Sequence, residues 1–441
     1  MPFQVSPGVN VSEIDLSTVV PAVSTTEGAI AGVFKWGPGN TRVLVDSEET
    51  LAARFGDPAP YANGDLFNVE TFFSAANFLA YGNKLYVTRV LDSTATNAAT
   101  GGNVVQIPNE DDLDSATIPS GGDFVARYSG TRGNSLKVSV CTSSAAYSAN
   151  LGATFTITNG SKTATVGSDI TATLAAGDKV YFGNSTIGFF NNEVESVNST
   201  AITFETAYTG TTDLSSFAVN ANGQVATLER RWGHWDLVRS APGTSLSAEG
   251  AGGVKDELHV VVEDEDGVIT GTKGTVLELY EGVSRATDAK TESGETNYWR
   301  NVIEKSSNWI YATADTAGIA ADTTKATSSG SDVGPAATSP IYDSLSGGLD
   351  SAEEGTIALG QVTDGYDLYK SAEDVDVSLI LQGKAIGGTK KTGLAKHLRD
   401  NICEYRKDCV AFISPISSIR CRTVFLKGSS SAKRPPRLDK V

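Results

Sequence analysis

Glu27-Gly-Ala-Ile-Ala-Gly-Val-Phe34, Lys35-Trp-Gly-Pro-Gly39, Thr41-Arg-Val-Leu-Val45 and, after two helical patterns, Lys84-Leu-Tyr-Val-Thr-Arg-Val-Leu91 decide the fold. Two apolar runs flank a Gly/Pro turn and a third follows the helices, so the stretch reads as most of an α/β layer. Asp46-Ser-Glu-Glu49 is a helix start, in which Asp46 is expected to cap and Glu49 to reach back. Leu51, Ala52 and Phe55 give that helix an apolar face, and Gly56 with Pro58 stops it. A second helix is predicted from about Asp65 to Ala80, with Leu66, Val69, Phe72, Phe73, Ala76 and Leu79 at helical spacing. These aromatics read as core. Nothing in the stretch reads as catalytic.

The whole chain has 441 residues, enough for two to four domains. Hydrophobic residues make up 40% and charged residues 20%, the balance of a globular chain rather than a disordered one. A formal net charge of −17 argues against a nucleic-acid binder, which presents a basic face. Cys141, Cys403, Cys409 and Cys421 lack metal-ligand spacing and are expected to be free buried thiols. The start, Met1-Pro-Phe-Gln-Val, has neither the basic residues nor the apolar run of a secretion signal. No stretch reaches the ~18 apolar residues of a membrane span, so direct membrane insertion is not expected.

Residues 1–20 read as an arm. Val5, Val9, Val11, Ile14 and Leu16 are its apolar positions, and Val9-Asn-Val-Ser12 alternates like a half-buried strand. So short a segment must pack on something. Two readings stand: an edge strand of its own domain, or a strand added to the sheet of a neighbouring subunit.

Ser6-Pro-Gly-Val9, Phe34-Lys-Trp-Gly-Pro38, Phe55-Gly56, Ala76-Asn-Phe-Leu-Ala-Tyr-Gly-Asn83 and Arg89-Val90 stand in an order that resembles the N-terminal region of contractile tail sheath proteins of myovirus-type phages. The resemblance continues through the Gly133-Asn134 turn, Val276-Leu-Glu-Leu-Tyr-Glu281, Asn297-Tyr-Trp-Arg-Asn-Val-Ile303 and Trp309-Ile-Tyr311. It extends to Ser346-Gly-Gly348, Asp374-Val-Asp-Val377 and Lys407-Asp-Cys409 with Ser414-Pro415, and stops there. The segment 416–441 holds seven basic residues against the single acid Asp439 and reads as a divergent basic tail. The family's C-terminal domain is therefore expected to be absent, and the chain alone to be mainly monomeric.

The expected fold class is α/β, α+β overall and multidomain. A discontinuous α/β domain of residues 21–93 plus 341–415 is expected to carry an inserted portion, 94–340, in which 146–217 is a small all-β module. That module matches no sheath motif and reads as a surface insertion.

Candidate chemistry is thin. His234, His259 and His397 sit in no nucleophile or metal motif. Gly383-Lys-Ala-Ile-Gly-Gly-Thr-Lys390 lies where a phosphate loop would lie but fails its spacing. Asp264-Glu-Asp-Gly267 has Val262 and Lys273 where a calcium loop needs carboxylates, and reads as a hairpin turn. No catalytic, cofactor or metal site is assigned, and the chain is not expected to be an enzyme.

What the resemblance implies is a structural virion protein of the phage tail, assembled in the host cytoplasm, that polymerises around the tail tube and contracts to drive the tube through the host envelope. Its implied partners are other copies of itself, the tube protein, and the baseplate and tail terminator proteins, with no nucleic acid and no cofactor. Two other classes stand beside this reading: a surface glycan-binding protein displaying the β module, and a hydrolase built on the α/β layer.

Overall fold

The computed structural model describes residues 26–58, 67–102, 105–117, 123–184, 188–210, 214–217, 227–313, 319, 331–332, 337–387, 392–413 and 424–427. The arm residues Val5, Val9, Val11, Ile14 and Leu16, most of the basic tail, and 388–390 of the phosphate-loop-like stretch lie outside them.

The first run forms strand Gly28–Gly32, buried at every position. Strands buried on both faces are typical of parallel sheets, and this one has parallel neighbours on both sides. Gly28 to Gly32 pairs with Leu85–Arg89, and Gly28 to Ile30 pairs with Leu379–Leu381. The six-stranded sheet runs 42–45, 85–89, 28–32, 379–381, 410–413, 424–427, with antiparallel pairing only at its two edges. Strands from both ends of the chain thus make one sheet, and the fold is α/β with a discontinuous sheet.

Alternation along the central strand sorts two cores. Ile30 faces helices Glu48–Phe55 and Val69–Leu79, packing with Leu51, Phe55, Phe72, Ala75 and Leu79. Ala29 and Ala31 face the opposite layer, with Val362, Tyr366, Leu394, Leu398 and Ile402. The last three lie on a continuous helical stretch, Gly393–His397, Leu398–Cys403 and Glu404–Arg406, whose middle segment is a π-helical turn.

Helix starts show where local sequence was a good guide and where it was not. The first helix is capped by Ser47, whose Oγ accepts from Thr50 N at 3.2 Å, and not by the expected Asp46. Asp46 instead accepts a hydrogen bond from Ser47 Oγ. The second helix begins at Val69 rather than Asp65, and its N-cap, Asn68, makes no side-chain capping bond. Its free N–H groups are taken from far along the chain: buried Glu354 accepts from Glu70 N at 2.9 Å and Thr71 N at 3.0 Å. A carboxylate at a helix N-terminus also complements the helix dipole.

A second sheet has seven strands, in the order 275–284, 257–264, 136–141, 341–346, 99–100, 124–126, 310–312. It encloses a core of Phe124, Val138, Val140, Leu258, Val260, Trp299 and Ile303. Here the structure departs from the expected division at 341. Strand Ile341–Ser346 pairs antiparallel with Leu136–Cys141 and with 99–100, so it belongs to this sheet and the chain returns to the α/β layer only after it.

The third sheet has eight strands, 214–217, 155–157, 163–166, 201–204, 188–198, 179–184, 227–231 and 148–150, around Phe155, Phe182, Phe204 and Tyr208. It extends past the expected end at 217, because Thr227–Arg231 pairs with Lys179–Gly183 on one side and with Ser148–Asn150 on the other.

Candidate functional site

The described residues bring together no catalytic constellation; buried polar contacts instead join the three larger sheets. The first junction is built on Arg89, at the end of strand Leu85–Arg89 and wholly buried. Its Nε donates to Phe34 O at 3.0 Å, Nη1 to Gly37 O at 2.8 Å and Nη2 to Ser129 O at 2.6 Å. Phe34 and Gly37 belong to the Gly/Pro turn of the α/β layer, whereas Ser129 lies just past strand Phe124–Ala126 of the second sheet. Burial lowers the Arg89 pKa to about 10, which still leaves it charged at neutral pH.

Around this centre the contacts repeat the same connection. Lys35 Nζ pairs with Asp350 at 2.8 Å, and Asp350 also accepts from Thr131 N at 3.0 Å and Thr131 Oγ1 at 2.9 Å. Beside them, within the second sheet, Asn134 ahead of strand Leu136–Cys141 clasps Gly348 after strand Ile341–Ser346 through both ends of its amide, at 3.0 and 2.7 Å. Trp36 packs against Tyr128 and Trp309, with ring centroids 5.4 and 5.8 Å away. Gly37, at φ 94°, sits where an added Cβ would come within 2.6 Å of Arg54 O, which accounts for the glycine in that turn.

The second junction ties the eight-stranded module to the trunk. Trp232, wholly buried, donates from Nε1 to Ser139 Oγ at 2.7 Å. Tyr342 OH donates to Asp178 at 2.9 Å and accepts from Gly233 N at 2.9 Å. Buried Arg230 reaches the carbonyls of Thr173, Ala145, Ala146 and Thr338. A polar cavity of about 160 Å³ remains between them, lined by Lys137, Lys179, Glu193, His234 and Glu263.

The histidines do not converge. His259 is buried between backbone groups, with Nε2 2.9 Å from Ser240 O and Nδ1 accepting from Gly282 N at 2.9 Å, and burial lowers its pKa. His234 stands 3.4 Å from Glu263, and burial lowers its pKa too. His397 pairs with Asp367 at 2.8 Å on the far layer. The acidic turn holds itself together: Asp264 accepts from Ser135 Oγ at 2.5 Å and from Ile269 N and Thr270 N at 2.9 and 2.7 Å. No group of three or more metal-ligating side chains occurs among the described residues.

A half-buried carboxylate contributes a pH dependence. Asp343 Oδ2 has no hydrogen-bond partner, and burial, with the charge of Asp123 second, raises the Asp343 pKa to about 6. The folded state therefore holds this proton more tightly than the unfolded chain, whose aspartate titrates near ~3.9. Its favourable contribution is complete below that unfolded value and is lost as pH rises through about 6. Asp178, raised to about 6 mainly by burial, shares the window, so a difference measurement is needed. The melting temperature of Asp343→Asn minus that of the parent should increase from pH 4 to pH 7 and then level off. A difference that does not change with pH would exclude an ionised, penalised Asp343.

The described residues thus form an α/β layer with a discontinuous sheet bonded to two further β-sheets, and no catalytic constellation occurs among them. The chain's curated homologues are tail sheath proteins. The tail sheath protein of Salmonella phage ViI is 24% identical over 94% of this chain. The tail sheath protein of Vibrio phage KVP40 is 37% identical over 95 residues, 22% of this chain and 13% of its own length. The chain spans 60% of the length of the Salmonella phage relative. Among solved structures, a sheath tail protein from Listeria innocua aligns over 92% of this chain and 53% of its own, at 10% identity and a TM-score of 0.34. No protein-family model matches the chain.

Proposed function

We propose that this chain is a structural subunit of a phage tail sheath, polymerising around the tail tube and shortening to drive the tube through the host envelope. The observation that carries the reading is similarity to a tail sheath protein along 94% of the chain. The two junctions support it physically. Contraction by rigid-body rotation requires sheets that move as one unit, and Arg89, Asp350, Trp232 and Tyr342 each bond across a boundary between sheets. In this reading the partners are further copies of the chain, the tube protein, and the baseplate and terminator proteins. The protein resides in the virion tail after assembly in the host cytoplasm, and neither cofactor nor catalysis has a part. The arm 1–20 links neighbouring subunits through Val5, Val9, Val11, Ile14 and Leu16. The α/β layer serves as the hub and the eight-stranded module as an outward insertion. Co-expression with the tube protein of the same phage, followed by electron microscopy, tests the proposal. Tubes coated at regular spacing are expected, and bare tubes beside free chain would overturn it.

A further inference from the structure

Cys403 and Cys409 lie with their sulfurs 3.3 Å apart, both almost wholly buried, and Cys409 donates its S–H to Cys403. Cys403 ends the π-helical turn, and Cys409 immediately precedes strand Val410–Ile413. Between them the chain reverses at Lys407, which adopts a left-handed φ of 64°. Arg406 is buried inside this reversal, donating to the carbonyls of Tyr369, Ser371 and Val375. The thiols' sequence neighbours Glu404, Tyr405, Lys407 and Asp408 are exposed.

We propose that Cys403 and Cys409 form a redox-responsive dithiol that closes to an intramolecular disulfide when the protein meets a small-molecule disulfide oxidant. The geometry supplies both steps of thiol–disulfide exchange. Cys403 thiolate, stabilised by the Cys409 S–H and by nearby Arg406, attacks one sulfur of the oxidant and releases the first small thiol. Cys409 then gives up its proton and attacks Cys403 Sγ, and the second small thiol leaves. The protein loses two hydrogens, which depart on the two reduced thiols. The cross-link fixes the reversal that carries Arg406, and with it strand Val410–Ile413, on which the edge strand Val424–Lys427 is paired. In a reducing cytoplasm the pair stays open, and in an oxidising medium it closes. Cys141 offers an internal control: it is buried apart from the pair and its thiol is pushed up to about 12 by burial.

The test uses the full chain carrying Cys421→Ser, treated with oxidised glutathione and quenched by alkylation under denaturing conditions. The expected product has lost two hydrogens, retains one alkylatable thiol at Cys141, and yields a peptide joining Cys403 to Cys409. Its thermal unfolding shifts upward by several degrees relative to the reduced protein. With Cys409→Ser added, a stable glutathione adduct accumulates on Cys403, whereas with Cys403→Ser no adduct accumulates on Cys409. A chain that keeps all three thiols alkylatable, or takes up separate glutathiones on Cys403 and Cys409 without joining them, overturns the proposal.

Discussion

Arg89→Met is expected to destabilise the protein by about 3–5 kcal/mol, one of the largest effects available to a single substitution here. The guanidinium occupies a site with no solvent exposure and satisfies carbonyls of Phe34, Gly37 and Ser129. Methionine fills much of the volume but donates nothing, and each carbonyl left buried without a donor costs on the order of 1–3 kcal/mol. Arg89→Lys should recover only part of the loss, because an ammonium lacks the planar fork that reaches both sheets at once. The two sheets meet here, so the damage should take a particular form. In a urea titration the parent is expected to lose signal in one cooperative step, and Arg89→Met to split it, with the Trp36 environment, packed on Tyr128 and Trp309, melting ahead of the Trp232 environment. Coincident transitions at the parent midpoint would contradict a bridging role for Arg89.

The sequence carried the pieces of this architecture better than their assembly. Helical spacing found Leu51, Phe55, Phe72 and Leu79, all of which are buried in one core, because amphipathic period is a local property, but it wrongly placed Phe73 there, which is 47% exposed. The discontinuous α/β layer was legible as two like patterns far apart, and the parallel register of Gly28–Gly32 with Leu379–Leu381 supplies the physical link. What stayed hidden was non-local. Glu354 caps a helix 284 residues away, and nothing near Asn68 announces it. Ile341–Ser346 reads as the start of the returning layer, yet its partner strand is Leu136–Cys141, a choice made by sheet pairing and not by composition. Arg89-Val90 belongs to the family-like motifs in the sequence, but the reason for arginine lies in the fold, which sets Ser129 O 2.6 Å from its guanidinium. The Cys403 and Cys409 spacing gave no sign of a pair, because the left-handed Lys407 that brings the sulfurs together is a property of the folded turn.

Removing residues 1–20 is expected to abolish coating of co-expressed tail tubes while leaving the rest of the chain folded. The two halves of that expectation have different sources. The folded half follows from the cores. The six-stranded sheet closes its parallel interior with strands beginning at Gly28, and both of its cores are filled by residues from Ala29 onward. The assembly half follows from the proposed role of Val5, Val9, Val11, Ile14 and Leu16. Strand addition draws its affinity from backbone hydrogen bonds along a sheet edge and its specificity from alternate side chains, so losing the segment removes the whole contact and not a fraction of it. A subtler variant separates these contributions. Val9→Pro with Val11→Pro keeps apolar carbon at both positions but removes two backbone donors, and should weaken assembly about as much as the deletion. Circular dichroism and urea midpoints indistinguishable from the parent, together with electron micrographs in which coated tubes are missing, are the anticipated outcome for both. Regular coating of tubes by the deletion variant would show that subunits are joined through surfaces other than the arm.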